Sequence, residues 1–192
     1  MRLLKYSCLI ALLLISGCSS TPRKTHEYLL TIPVKIHALA HPSLLPKNIT
    51  LMPIDLAGYL DGIEMVQISP DGQLFRAQNH LWAEPLPQQL QQITRNYLSM
   101  RLPTINWYHL DDRVKTVQLN IHINQFVADT QGLVHINGNW QLYQNDGHLL
   151  IQGDFNLKQP LRHDGYLAMT QSLSSLWETT LNQITKDWSL HH

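Results

Sequence analysis

From Val117 to Leu157 the chain alternates apolar and polar residues. Val117, Leu119, Ile121 and Ile123 share one parity. Val134, Ile136, Trp140 and Leu142 repeat it with Gly138 between them, and Leu149, Ile151, Phe155 and Leu157 repeat it again. A period of two marks half-buried strands. Asp129–Gly132 and Asn145-Asp146-Gly147 lie between these runs and carry hairpin chemistry. The other parity holds Gln118, Asn120, His122, Asn137, Asn139 and Gln141. The pattern predicts an antiparallel meander with one polar face and one face covered by apolar groups.

Elsewhere the period lengthens. Leu86, Leu90, Ile93, Tyr97 and Met100 recur at helical spacing, and Gln88, Gln89, Gln91, Gln92 and Arg95 are expected to face out. Pro85 and Pro87 suit a first turn, where the amide hydrogen is dispensable. The helix is expected to run to about Arg101, with Pro103 stopping it. A second helix is expected from Asp164 to Trp188, with Leu173, Trp177, Leu181, Ile184 and Trp188 as its apolar stripe. Ahead of the helices, Tyr28–Ile36 reads as a strand that Pro33 confines to an edge or ends early. His41–Lys47 is loop, and Ile49–Leu56 is a strand with an internal proline. Tyr59-Leu60-Asp61-Gly62 is a turn. Glu64–Ser69 and Gln73–Gln78 flank Ser69-Pro70-Asp71-Gly72, in which Pro fixes φ and Gly takes a positive one. The expected fold is α+β: an antiparallel or mixed β-sheet with two main helices packed on one face.

The first eighteen residues follow a different logic. Met1-Arg2-Leu3-Leu4-Lys5 is short and basic, and an apolar run follows from Cys8 to Ile15. A membrane-spanning helix needs about 20 apolar residues, so this run is too short. A charged start, a short apolar stretch and small residues make a secretory signal. Leu14-Ile15-Ser16-Gly17-Cys18 resembles the bacterial lipobox. The resemblance implies cleavage after Gly17, diacylglycerol on the Cys18 thiol and a further acyl chain on the new amine. One acyl chain binds marginally, at about 0.8 kcal/mol per buried methylene, and two or three anchor stably. The competing reading is an uncleaved hydrophobic anchor. Residues 1–17 are thus expected to be a signal peptide, 18–27 a lipidated tether and 28–192 one periplasmic domain. Ser19, rather than Asp, implies the outer membrane in lipoproteins resembling this one.

Cleavage removes Arg2 and Lys5 from the 14 basic residues, leaving 12 against 14 acidic ones and a side-chain sum of −2. A nucleic-acid partner would require a clustered basic face. Cys8 leaves with the signal and Cys18 is lipidated, so no thiol remains for a disulfide, a metal or nucleophilic catalysis. Eleven histidines invite a metal reading. No pair sits in a helical His-x-x-x-His arrangement, since His37 and His41 fall between a strand and a loop, and His122 and His135, placed to face each other across a hairpin, are too few for a closed site. No Gly-x-Ser-x-Gly elbow or Gly-rich phosphate loop is present. Neither a metal, a cofactor nor a catalytic residue is expected.

Three stretches carry a family resemblance: Tyr28-Leu29-Leu30, Asp55-Leu56-Ala57-Gly58-Tyr59-Leu60-Asp61 and Leu81-Trp82-Ala83-Glu84-Pro85-Leu86. Their order and spacing resemble the ABC-type transport auxiliary lipoproteins, in the paraquat-inducible protein C (PqiC/YmbA-like) group. The proline-rich run between Val34 and Asn48 departs from that pattern. The resemblance implies lipid traffic between inner and outer membranes, without enzyme chemistry. It also implies a PqiB-like partner carrying mammalian-cell-entry (MCE) domains, and ring-forming copies in some members.

Tyr59, Leu60, Trp82, Glu84 and Pro85 are the motif residues expected to matter. The structural reading packs Trp82 under the start of the helix and has Glu84 cap or complement its positive end. The alternative is direct partner contact. The polar sheet face either pairs with identical neighbours or is solvated. The rival functions are a plug or assembly factor for an outer-membrane β-barrel, a lipid carrier with a closed apolar cavity, and an enzyme.

Overall fold

A computed structural model describes residues 24–32, 37–38, 46–108, 110 and 115–190. The elements are β1 (His26–Tyr28), β2 (Asn48–Leu51), β3 (Asp55–Leu56), a 3₁₀ turn (Gly58–Leu60), β4 (Glu64–Ile68), β5 (Leu74–Trp82), α1 (Leu86–Arg101), β6 (Asn106–Tyr108), β7 (Val117–Asp129), β8 (Leu133–Tyr143), β9 (Leu149–Pro160) and α2 (Tyr166–Leu190). They form an α+β fold with one mixed sheet.

The long strand β7 organises the sheet. One edge pairs antiparallel with β8 from Gln118↔Tyr143 to Ala128↔Val134, and β8 pairs antiparallel with β9. The other edge is shared by three short parallel strands. β2 takes Val117–Leu119, β3 takes His122–Ile123 and β4 takes Ala128–Asp129. β6 adds to β2 in parallel, β5 adds to β4 in antiparallel, and β1 adds to β5 in parallel. The expected meander is therefore β7–β8–β9, and the parallel half lies beyond β7.

The proline-bearing stretches account for several differences from expectation. The run read as one strand over Ile49–Leu56 is two strands, because Pro53 cannot donate to the ladder. The first strand covers His26–Tyr28 instead of starting at Tyr28. Beyond it the chain leaves the ladder: the Leu30 N–H bonds to Gln89 Oε1 at 2.8 Å and the Thr31 N–H to Ser174 Oγ at 3.1 Å. Pro33–Ile36 lie outside the described residues, as do Cys18, the signal and most of the His41–Lys47 loop. β5 runs on to Trp82, whose N–H bonds the Ile63 carbonyl at 2.7 Å.

Both helices pack on the apolar sheet face. Trp177 of α2 meets Phe126 of β7 and Phe155 of β9 edge-on, and Trp188 meets Trp140 of β8 in the same way. All five expected stripe residues of α2 are buried. In α1 the buried stripe is Leu86, Gln89, Leu90, Thr94, Tyr97 and Leu98, while Met100 is exposed. Thr94 hydroxyl accepts the Trp177 indole N–H at 3.0 Å and joins the two helices. Burial pushes the Tyr97 phenol up to about 12, with the Glu178 carboxylate adding to the rise and the Arg101 cation opposing it.

Glycines make room for aromatic rings on this face. A Cβ at Gly138 would stand 2.1 Å from the His122 carbonyl oxygen and 2.6 Å from the Phe155 ring. A Cβ at Gly153 would stand 2.9 Å from the Trp140 ring. β9 is an edge strand, so only Phe155 of its four expected core residues is fully buried. Gly138→Ala must displace a ladder carbonyl as well as Phe155. It is expected to lower stability by about 3 kcal/mol, the upper part of the range for overpacking. Urea unfolding of the wild-type and variant proteins measures this.

Candidate functional site

The motif Asp55–Asp61 is seated on a bulge in β7. The β7–β8 register slips between Ile123 and Gln125, leaving Asn124 as the extra residue. That slip switches the inward parity of β7 from Leu119, Ile121 and Ile123 to Phe126 and Ala128. β3 pairs beside His122 and Ile123, and the Ala57 N–H continues the contact to the Ile123 carbonyl at 2.9 Å. The 3₁₀ turn then buries Leu60 and carries Tyr59 back to the bulge. The Tyr59 hydroxyl donates to the Asn124 carbonyl at 2.7 Å, and Arg76 Nη2 donates to the Tyr59 carbonyl at 2.8 Å. Partial burial raises the Tyr59 phenol above its ordinary value. Asp55 pairs with His122 at 2.7 Å, and the second nitrogen of His122 lies 3.0 Å from the Asn124 amide oxygen. Both ends of the Asp55–His122 pair are substantially exposed, so it contributes little to stability.

The other two motif stretches meet at the start of α1. Trp82 is buried, with its ring centroid 6.5 Å from that of Phe126. The Ala83 N–H bonds the Tyr28 carbonyl at 2.9 Å. The side chain of Gln89 completes the junction: its Oε1 accepts the Leu30 N–H, and its Nε2 donates to the Glu84 carbonyl at 2.8 Å. Gln89 was expected to face solvent, yet it is 3% exposed. Gln91 performs the same task at the Pro53 break. It accepts the Ile54 N–H at 3.0 Å and donates to the Leu51 carbonyl at 3.2 Å. A side-chain amide has one acceptor and two donors, so each glutamine can satisfy a backbone donor and a backbone acceptor that a broken strand leaves behind.

The expected capping role of Glu84 does not occur. The cap is Pro85, no side chain bonds to it, and Glu84 is exposed. Pro87 has no N–H to offer, and the N–H groups of Gln88 and Gln89 both reach the Pro85 carbonyl, leaving little for a carboxylate to satisfy. Pro85 thus precedes the first turn, which holds Pro87 alone. Trp82 and Leu60 belong to the same apolar core, whereas Glu84 and Pro85 stand on the surface beside it.

His122 and His135 do not face each other. His122 lies opposite Asn139 and His135 opposite Val127. His135 Nε2 instead lies 2.8 Å from Asp129 Oδ2, while Asp129 Oδ1 accepts the N–H groups of Gln131 and Leu133 at the hairpin. Burial works to raise the Asp129 carboxyl, but those two N–H groups and His135 together hold it below its ordinary value. The opposite sheet face is lined by cross-strand rows of Asn120, Gln141 and Gln152, of His122, Asn139 and Asp154, and of Gln125, Asn137 and Asn156. Among the described residues, no three His, Cys, Asp or Glu side chains converge as a metal site, and no helix is long and apolar enough to cross a membrane.

Residues 28–185 match the family model of the ABC-type transport auxiliary lipoprotein component. This chain belongs to that family. The match begins at Tyr28, where the first of the three motif stretches begins. Family members named intermembrane transport lipoprotein PqiC, from Escherichia coli K12 and from Shigella flexneri, are each 29% identical over 185 residues. The alignment covers 95% of this chain and 96% of theirs. A crystal structure of an uncharacterized protein is similar, with 26% identity and a TM-score of 0.70, over 85% of this chain and 98% of that one. A Xanthomonas campestris protein shares the fold at 15% identity and a TM-score of 0.68, over 83% of this chain and 92% of that one. The transport auxiliary lipoproteins are not an enzyme family.

Two outcomes follow from the site geometry. Gln89→Leu preserves bulk but strands the Leu30 N–H and the Glu84 carbonyl. It should lower stability by about 1–3 kcal/mol in urea unfolding, the cost of leaving the buried Leu30 N–H unpaired, whereas exposed Gln92→Leu should change it by less than about 0.5 kcal/mol. For Asp129, the depressed carboxyl contributes stability above its unfolded pKa and loses that contribution as the pH falls through the lower folded value. Thermal scans should therefore show Asp129→Asn clearly less stable than wild type at neutral pH, with the gap closing below about pH 4.

Proposed function

We propose that this family member is a non-enzymatic component of an intermembrane lipid transport system, held at the periplasmic face of the outer membrane by lipid on Cys18. The observation carrying this reading is the family match over residues 28–185, with 29% identity to intermembrane transport lipoproteins along nearly the whole chain. The sequence Leu14-Ile15-Ser16-Gly17-Cys18 supports the anchor, with residues 1–17 removed and the expected 18–27 lipidated tether to one periplasmic domain ending two residues sooner, where β1 begins at His26. Ser19 supports the outer membrane. An MCE-domain protein is the proposed partner, received beneath the membrane by the domain alone or as a ring of copies.

The motif divides into two roles in this reading. Tyr59, Leu60 and Trp82 hold the scaffold, since the first grips a backbone carbonyl and the other two are buried. Glu84 and Pro85 are exposed where the buried motif reaches the surface, so they are the members available to a partner. The polar sheet face supports association between copies, because side-chain amides form interface hydrogen bonds without desolvating a full charge.

Purification of the acylated protein from membranes, with bound partners identified by mass spectrometry, tests the proposal. An MCE-domain protein is expected to accompany the wild type, and Cys18→Ala should abolish acylation and leave residues 1–17 uncleaved, read as the mass of the N-terminal peptide. Recovery of a β-barrel alone, or of no partner while the protein stays folded and acylated, would sink the transport reading.

A further inference from the structure

We propose that the cleft between the end of β9 and the first turns of α2 binds a phosphate-bearing group. The cleft measures about 320 Å³ and is lined by Gln159, Arg162, His163, Gln171, Ser172 and Ser175, with Ala168 at its wall. Gln159 fixes one side by donating its amide to the Ser172 carbonyl at 2.8 Å. The lining is rich in donors, and among the described residues no carboxylate contributes to it.

Ser172 is the residue that points to a ligand. It is only 5% exposed, yet its hydroxyl has no hydrogen-bond partner among the described residues. Its buried neighbours on α2 behave otherwise. The hydroxyls of Thr170, Ser174 and Thr180 each donate to the carbonyl four residues earlier, at 2.8–2.9 Å. With no bond to its own helix, the Ser172 hydroxyl is left as an open donor and acceptor on the cleft wall, where a ligand can use it. The guanidinium of Arg162 and the ring of His163 are likewise without partners among the described residues.

A guanidinium, an imidazole, two hydroxyls and two side-chain amides around one cleft match the chemistry of a phosphate. Its several acceptor oxygens and its charge suit bidentate binding by arginine and hydrogen bonds from neutral donors. The volume exceeds that of a bare ion and accommodates a small group attached to the phosphorus. Glu84 and Pro85 do not line the cleft, and its test is independent of any transport partner.

The test uses the full acylated chain in maltoside micelles, titrated with inorganic phosphate and glycerol 3-phosphate and followed by calorimetry. Saturable binding with Kd of about 1 mM or tighter is expected. Arg162→Gln should weaken it about tenfold or more, since a charge-assisted hydrogen bond is lost, and Ser172→Ala about threefold. Lys158→Gln removes the same charge from the exposed sheet face and should change it less than about twofold. Circular dichroism melting confirms that each variant folds. Dihexanoyl phosphatidylglycerol then separates the sources: tighter binding than glycerol 3-phosphate assigns the phosphate to a lipid headgroup, and weaker binding assigns it to a soluble compound. Failure to saturate, or equal weakening by Arg162→Gln and Lys158→Gln, would overturn the site.

Discussion

Both edges of β7 have to be paired, and no neighbouring strand on one side is long enough to do it alone. β8 covers one edge along its length. On the other edge β2, β3 and β4 divide the work, each in parallel with a different stretch. Parallel pairing needs crossover connections, and these short strands, all within residues 48–68, reach β7 only across β5, α1 and β6. The gaps between them leave backbone groups that the ladder cannot reach. A buried backbone amide without a partner is strongly unfavourable, and Gln91 and the Asn124 bulge are the local answers to that requirement.

This explains why the motif Asp55–Asp61 has its form. Two residues pair with β7, one turn of 3₁₀ helix follows, and a tyrosine reaches back to the carbonyl that the bulge exposes. The same economy governs the start of α1. There a glutamine replaces the strand partners that Leu30 and Glu84 lack. Among the motif residues, Tyr59 satisfies a backbone carbonyl at the bulge, while Leu60 and Trp82 fill the core. Glu84 and Pro85 differ, because nothing among the described residues uses the Glu84 carboxylate.

The meander was legible in the sequence because period-two alternation, two turn signals and a polar opposite face all agreed from Val117 to Leu157. The stripe of α2 was legible for a similar reason, with three of its positions filled by Trp177, Leu181 and Trp188. What could not be read came from long-range satisfaction of polar groups. Gln89 and Gln91 look like solvent-facing helix residues by type alone. Their burial follows from proline-broken strands packed against them, and no local pattern encodes that contact. The parity change between Ile123 and Phe126 was visible as a break in the alternation, and it is the one sequence signal that marks the bulge. Parallel pairing and β6 left no such signal, since a three-residue strand has no period. Among candidate site residues, Trp82 and Leu60 followed from hydrophobicity. The Glu84 cap failed because Pro87 has no donor and the Pro85 carbonyl takes the next two.

The path of the chain from Lys24 onward also determines how the fold bears load. A pull applied at Lys24 enters β1, which is only three residues long and, among the described strands, pairs with β5 alone. Behind it, Leu30 is tied to α1 through Gln89 and Thr31 to α2 through Ser174. Tension that peels β1 therefore meets two side-chain bolts sunk into both helices before it can disturb the rest of the sheet. The domain would yield first as a short frayed lead, with the helix pair acting as its strain relief.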